Sequence, residues 1–162
     1  MAPRITTNPD RADALWRATA YHLATLQLTT VQAFGSGALK LGPVELQICL
    51  TVAVANVQKL MRERTLPPEY GGKDRLPDDL VVPISRNAIA SATGLPRETV
   101  RRQVEKLIGR GVLVEDPRGG VRTVPDTINQ LGLASVLEPM LTEFSRVAEA
   151  LLRLGVIELH AD

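Results

Sequence analysis

Cys49 is the only cysteine in 162 residues, so the chain can form neither an intramolecular disulfide nor a cysteine-rich zinc site. The two histidines, His22 and His160, lie near opposite ends, and no carboxylate or histidine cluster has metal-ligand spacing. A nucleophile triad has no evident scaffold, no cofactor is called for, and a non-enzymatic protein is the expectation. Cys49 falls in a strongly apolar stretch, where a thiol is a small core residue rather than a nucleophile. Gly35-Ser36-Gly37 followed by Lys40 lacks the GxxxxGK spacing and comes after a helical pattern, not a strand, so it reads as a connecting turn. No stretch reaches about 18 uninterrupted apolar residues. The opening Met1-Ala2-Pro3-Arg4-Ile5-Thr6-Thr7 also lacks the apolar run of a signal peptide. These absences together point to a cytoplasmic protein outside the membrane.

What is present is an ordinary globular composition, 44% hydrophobic and 23% charged, in a length that suits one compact domain. The net charge of +1 hides an uneven distribution. Residues 97–122 hold seven positive groups (Arg97, Arg101, Arg102, Lys106, Arg110, Arg118, Arg122) against four negative ones, a net +3. Residues 126–162 carry two positive and six negative groups, a net −4. A basic segment is thus followed by an acidic one.

Asn8 as N-cap, Pro9 at the first helical position and Asp10 and Asp13 behind it predict a helix running to about Phe34. Its apolar side is Leu15, Trp16, Tyr21, Leu23, Leu26, Val31 and Phe34. A second helix starts at Pro43, and apolar residues on almost every face from Val44 to Met61 predict a core helix buried all round. Residues 65–80 have no apolar period and many backbone breakers, which predicts a long surface loop. Val81-Val82-Pro83-Ile84 reads as a short edge strand.

Ser85 can cap a short helix, Arg86 to Ala92, which Thr93-Gly94 ends. Pro96 opens the next, which runs to about Arg110 with Val100, Val104, Leu107 and Ile108 as one buried stripe. The small Ala90, the turn at Gly94 and the apolar Leu95 and Val100 meet the steric demands of a helix-turn-helix. Val112-Leu113-Val114 and Val121-Arg122-Thr123-Val124 then flank a charged, glycine-containing tip, the pattern of a β-hairpin.

On these residues, Val81 to Val124 resembles the winged helix-turn-helix transcription regulators. Ala92-Thr93-Gly94-Leu95-Pro96-Arg97-Glu98-Thr99-Val100 is similar to the motif of isocitrate-lyase-regulator (IclR-type) proteins, from which Gln103 departs where an apolar residue is usual. The resemblance implies a mainly α fold with a small hairpin wing, a recognition helix from Pro96 in the major groove of double-stranded DNA, and a wing on backbone or minor groove. The flanks do not resemble the effector domain of that family. Helices at both ends are more similar to multiple-antibiotic-resistance-regulator (MarR-type) proteins, which dimerise through terminal helices.

At the C-terminus, Leu133, Leu137, Met140, Phe144, Val147, Leu151 and Leu154 alternate at spacings of four and three, a heptad seam that suggests a homodimer. Ser135 and Glu138 form a candidate capping box ahead of Pro139. The competing reading is an amphipathic helix packed on its own subunit. The organisation expected is a helical region and loop over 1–80, the winged motif over 81–124 and a dimerisation helix over 125–162, all within one compact domain.

Arg97, Glu98, Arg101 and Arg102 fall away from the buried stripe, where arginine suits guanine and Glu98 suits cytosine N4. Thr99 and Lys106 suit phosphate, Arg118 and Arg122 suit phosphate or a narrow minor groove, and Arg86 suits a backbone contact. Against this stands a solvated face with internal pairs such as Arg101 with Glu105. Two functions remain open: a homodimeric transcription regulator reading a pseudo-palindrome, and a winged-helix module that binds protein through the loop and the acidic helix. No polar constellation in the flanks defines a small-molecule effector.

Overall fold

The computed structural model describes residues 4–36, 40–63, 66–72, 75–125 and 133–160, and within the last segment the side chains from Ser135 onward. The described chain is mainly helical, with two small antiparallel sheets of two strands each. It divides into two compact units: Met1–Gly37 together with Leu133–Asp162, and Ala38–Gly132. These units do not coincide with the expected segment boundaries at 80/81 and 124/125. The first 37 residues close with the C-terminal segment, and the long apolar helix belongs with the helix-turn-helix region.

The discontinuous unit begins with β1 (Arg4–Thr7), which pairs antiparallel with β4 (Ile157–His160), Arg4 standing opposite His160 and Thr7 opposite Ile157. Neither strand was expected, and their pairing brings His160 Nε2 to 2.8 Å from Thr6 Oγ1. Asn8 caps α1 (Pro9–Ala14), its Oδ1 accepting from the Arg11 N–H at 3.0 Å. The helix does not run unbroken to Phe34. At Leu15 the backbone leaves helical geometry (φ −111°, ψ 31°) before α2 (Trp16–Gly35) begins.

α2 packs along α6 (Leu133–Arg153), and Val147, Leu151 and Val156 form a core with Ala12, Leu26, Leu154 and Ile157. Since α6 starts at Leu133, Ser135 and Glu138 lie inside it rather than at its cap, and Pro139 is an internal residue. The heptad seam also divides. Val147 and Leu151 are buried in their own unit and Leu137 and Phe144 are exposed, while Leu133's side chain lies outside the described residues. At 3.6 residues per turn, Leu137, Leu141, Phe144, Ala148 and Leu152 make a second stripe beside the buried one. On α2, Trp16, Tyr21, Leu23 and Val31 are exposed, Trp16 by 69%, although they were expected on the packed side, and Leu28 is exposed beside them.

In the second unit α3 (Pro43–Met61) buries Leu46, Ile48, Cys49, Val52 and Leu60. It is long and apolar enough to cross a membrane. Buried Glu45 and Asn56, however, give it the polar contacts of a packed core helix. It is not buried all round, because Val54 is 61% exposed. Ser85 caps α4 (Arg86–Thr93), its Oγ accepting from Ala88 N–H at 3.1 Å. Gly94, at φ 71°, takes the left-handed turn that a Cβ would disfavour and leads into α5 (Arg97–Gly109). Val100, Val104 and Leu107 are fully buried, each stabilising by about 1.5–3 kcal/mol. They turn α5 into α3 and α4.

The chain continues into β2 (Leu113–Glu115) and β3 (Val121–Thr123), paired Leu113 to Thr123 through Glu115 to Val121. Of the expected edge strand only Ile84 is bridged, to Val121. Gly120 passes so close to that segment that a Cβ would lie 2.7 Å from the Ile84 carbonyl oxygen. The expected surface loop contains a short 3₁₀ turn at Pro68–Tyr70.

Asn56 joins these parts. Its Nδ2 donates to Val82 O at 2.8 Å, its Oδ1 accepts from Thr123 N–H at 3.0 Å, and its own carbonyl accepts from Val82 N–H at 2.9 Å. Replacing Asn56 by Ala removes the side-chain partners of two backbone groups at once, so urea denaturation is expected to show a loss of about 3 kcal/mol. A loss below about 1 kcal/mol means water substitutes for the amide.

Candidate nucleic-acid interface

The buried stripe of α5 fixes which residues face out. Opposite Val100, Val104 and Leu107 lie Glu98, Arg102, Glu105 and Lys106, with Arg101 on one flank. All five are exposed, as is Arg97 at the first helical position, whereas Thr99 is half-buried. The helix pair, the hairpin and every candidate cation from Arg86 to Arg122 belong to one compact unit.

Most of these cations are engaged within the chain. Arg101 donates from Nε and Nη2 to Glu98 at 2.9 and 2.6 Å and from Nη1 to Glu105 at 2.8 Å. The pairing with Arg101 holds the Glu98 carboxyl below its ordinary range. Lys106 Nζ lies 2.8 Å from Glu45 Oε1, and Arg110 Nη1 donates to Glu45 Oε2 at 3.1 Å. Arg86 is half-buried and pairs with Glu115. Among the described residues, Arg97 and Arg102 are the cations of α5 that make no ion pair.

The hairpin differs from expectation in the same sense. Arg118 does not project from the tip. It folds back, donating from Nε and Nη2 to Asp116 at 2.8 and 2.9 Å and from Nη2 to Val81 O at 2.8 Å. Arg122, with its side chain 15% exposed, donates to Asp78 Oδ1 at 2.7 Å and lies 3.3 Å from Asp116 Oδ2. The Asp116 side chain is buried, and its partners, Arg118 first, hold its carboxyl well below the usual range. Asp78 is lowered by Arg122 and then Arg75.

Glu45, Asp78, Asp116 and Asn56 are the partners that sequence reasoning missed. Two had a legible signal: Glu45 stands three residues after Gly42 in capping-box spacing, and Asp116 opens the Asp-Pro-Arg-Gly turn of the hairpin. Glu45 accepts from Gly42 N–H at 2.9 Å, so one buried carboxylate both starts α3 and holds the C-terminal half of α5. Cys49 is buried, and its surroundings push the thiol up to about 11, as suits a core residue. Among the described residues no group of three or more His, Cys, Asp and Glu side chains is placed to hold a metal ion. Compared with known proteins, the chain matches no family model, no curated protein and no solved structure.

Hydrogen bonding from Lys106, with help from Gly42 and Arg110, lowers the Glu45 pKa from 4.5 to about 2 against the opposing effect of burial. The carboxylate's contribution to stability is complete above pH 4.5 and is lost as the pH falls through about 2. Thermal melts are therefore expected to show Glu45→Gln destabilised at pH 7 and less sensitive than the parent between pH 5 and 2. Equal acid sensitivity in both proteins would falsify this role for Glu45.

Proposed function

We propose that this chain is a cytoplasmic winged helix-turn-helix transcription regulator that binds double-stranded DNA sequence-specifically as a homodimer. The observation that carries the reading is the combination in one unit of a glycine-turned helix pair, an outward α5 face with unpaired Arg97 and Arg102, and a hairpin directly after it. A helix this size fits the major groove, and Arg–guanine contacts discriminate by about 1–3 kcal/mol each. The Val81–Val124 resemblance to winged regulators supports the same assignment.

The homodimer rests on the discontinuous unit. α2 carries one charged residue, Arg17, in 20 positions, and its exposed residues are mostly apolar, with Gln27 and Gln32 among them. Nine large apolar residues of α2 and α6 are 38–69% exposed. They offer on the order of 800 Å², the share one partner gives a standard interface. A two-fold dimer of this kind suits pseudo-palindromic DNA, whose half-sites lie about 10 bp apart. The internal pairing of Arg86, Arg101, Lys106, Arg118 and Arg122 favours a second reading, a module that binds protein, because fewer cations remain for phosphate.

Sequence preference separates the two readings, and the salt slope counts the cations that engage DNA. Neutralising all seven cations of 97–122 would give a slope of roughly −6 in log K against log salt per protomer, whereas Arg97 and Arg102 alone give roughly −2. Fluorescence anisotropy on the chain's own upstream DNA is expected to show tighter binding than to scrambled duplex, with the shallower slope. Equal affinity for both, repeated with fragments from a genomic selection, would favour the protein-binding module. In sedimentation, Leu141→Glu and Phe144→Glu are expected to convert dimer to folded monomer; unchanged mass in both variants removes this face as the interface.

A further inference from the structure

We propose that Glu98, held in place by Arg101, is a base-reading residue of α5, and that its target is the exocyclic amino group of a cytosine in the major groove. This rests on the DNA-binding reading above. The geometry is a two-point clamp. Arg101 Nε meets Glu98 Oε2 at 2.9 Å and Nη2 meets Oε1 at 2.6 Å, which fixes the plane of the carboxylate. Nη1 is anchored on Glu105 Oε1 at 2.8 Å, so the guanidinium itself is held from both sides. A carboxylate has about four acceptor positions, so two remain on Glu98 after the clamp. The side chain is 73% exposed and lies opposite the buried stripe of the helix.

The groove's own chemistry selects the target. Guanine O6 and N7 and thymine O4 are acceptors that a fixed carboxylate repels, which leaves the amino groups of cytosine and adenine. Adenine sets its N7 lone pair beside that amino group, where a second carboxylate oxygen would meet it. Cytosine itself adds no acceptor beside N4, and the neighbouring guanine O6 already accepts from N4 within the pair. Arg102, four residues along the helix from Glu98, carries an unpaired fork suited to a guanine. Arg101 is then a positioning residue rather than a reader. Without it Glu98 would turn freely and lose the one orientation in which both groove and clamp are satisfied.

The test is base preference, measured by anisotropy on a selected operator and its single base-pair variants. The proteins compared are the parent, Glu98→Gln, Arg101→Ala, Arg101→Lys and Arg102→Ala. Glu98→Gln and Arg101→Ala are expected to lose roughly tenfold discrimination at the same base pair. Arg101→Lys, with an ammonium in place of the fork, is expected to restore part of it, and Arg102→Ala to act at a different pair. Full preference in Glu98→Gln overturns the assignment. So does an Arg101→Ala effect at a pair that Glu98→Gln leaves unchanged, since Arg101 then reads a base itself. A parent protein that prefers no duplex defeats the DNA-binding reading as a whole, and this is seen before any substitution is compared.

Discussion

A single buried amide sets the relation between helix and hairpin. Asn56 is 2% exposed in an otherwise apolar stretch of α3, and it satisfies backbone groups of both Val82 and Thr123. Neither the 81–84 segment nor a three-residue strand has enough hydrogen bonds of its own to fix a register. Both take it from α3. The apolar stripe of α5 packs by area and tolerates small shifts, whereas an amide with directional partners does not. Buried polar groups of this kind cost free energy unless every partner is in place, so the hairpin is held in one position or not at all.

The charges follow a different logic. Exposed ion pairs contribute little to stability, with a median near 0–1 kcal/mol, so the pairs along α5 are not what keeps it folded. Their effect is to limit which groups remain available. Arg118 and Arg122 are drawn onto Asp116 and Asp78, and Lys106 and Arg110 onto Glu45, so the local net +3 read from residue counts overstates the positive surface. Glu45 is the exception in energetic terms, being buried and shared among three donors. It transmits the position of the α3 N-terminus to the outward face of α5.

Most of the second unit was legible because its signals are local. Ser85 at a cap, Gly94 at a left-handed turn, Val100, Val104 and Leu107 on one face, and β-rich runs around Gly119-Gly120 each act within a few residues. The β1–β4 pair was not legible, since two four-residue strands some 150 positions apart carry no mutual mark in sequence. The break at Leu15 was hidden by an apolar pattern that continues through it. At the site, residue types were readable and pairings only in part. Arg101 with Glu105 follows from spacing along one helix, but Lys106 with Glu45 and Arg122 with Asp78 are made by tertiary folding. The heptad pattern of α6 was real but merged two adjacent stripes, one covered by α2 and one not.

The enclosure of one unit between two halves of the other has a consequence for the order of events during synthesis. Residues 38–132 emerge from the ribosome as a complete packing unit and can fold while the chain is still growing. α2 has left the ribosome earlier still, yet it must wait about a hundred residues for α6, and β1 waits longer for β4. Until then its apolar residues are without their intramolecular cover, the kind of interval in which nascent chains meet chaperones. β4 follows α6 in the chain, so a chain cut short before α6 would carry the helix pair and hairpin while leaving α2 bare.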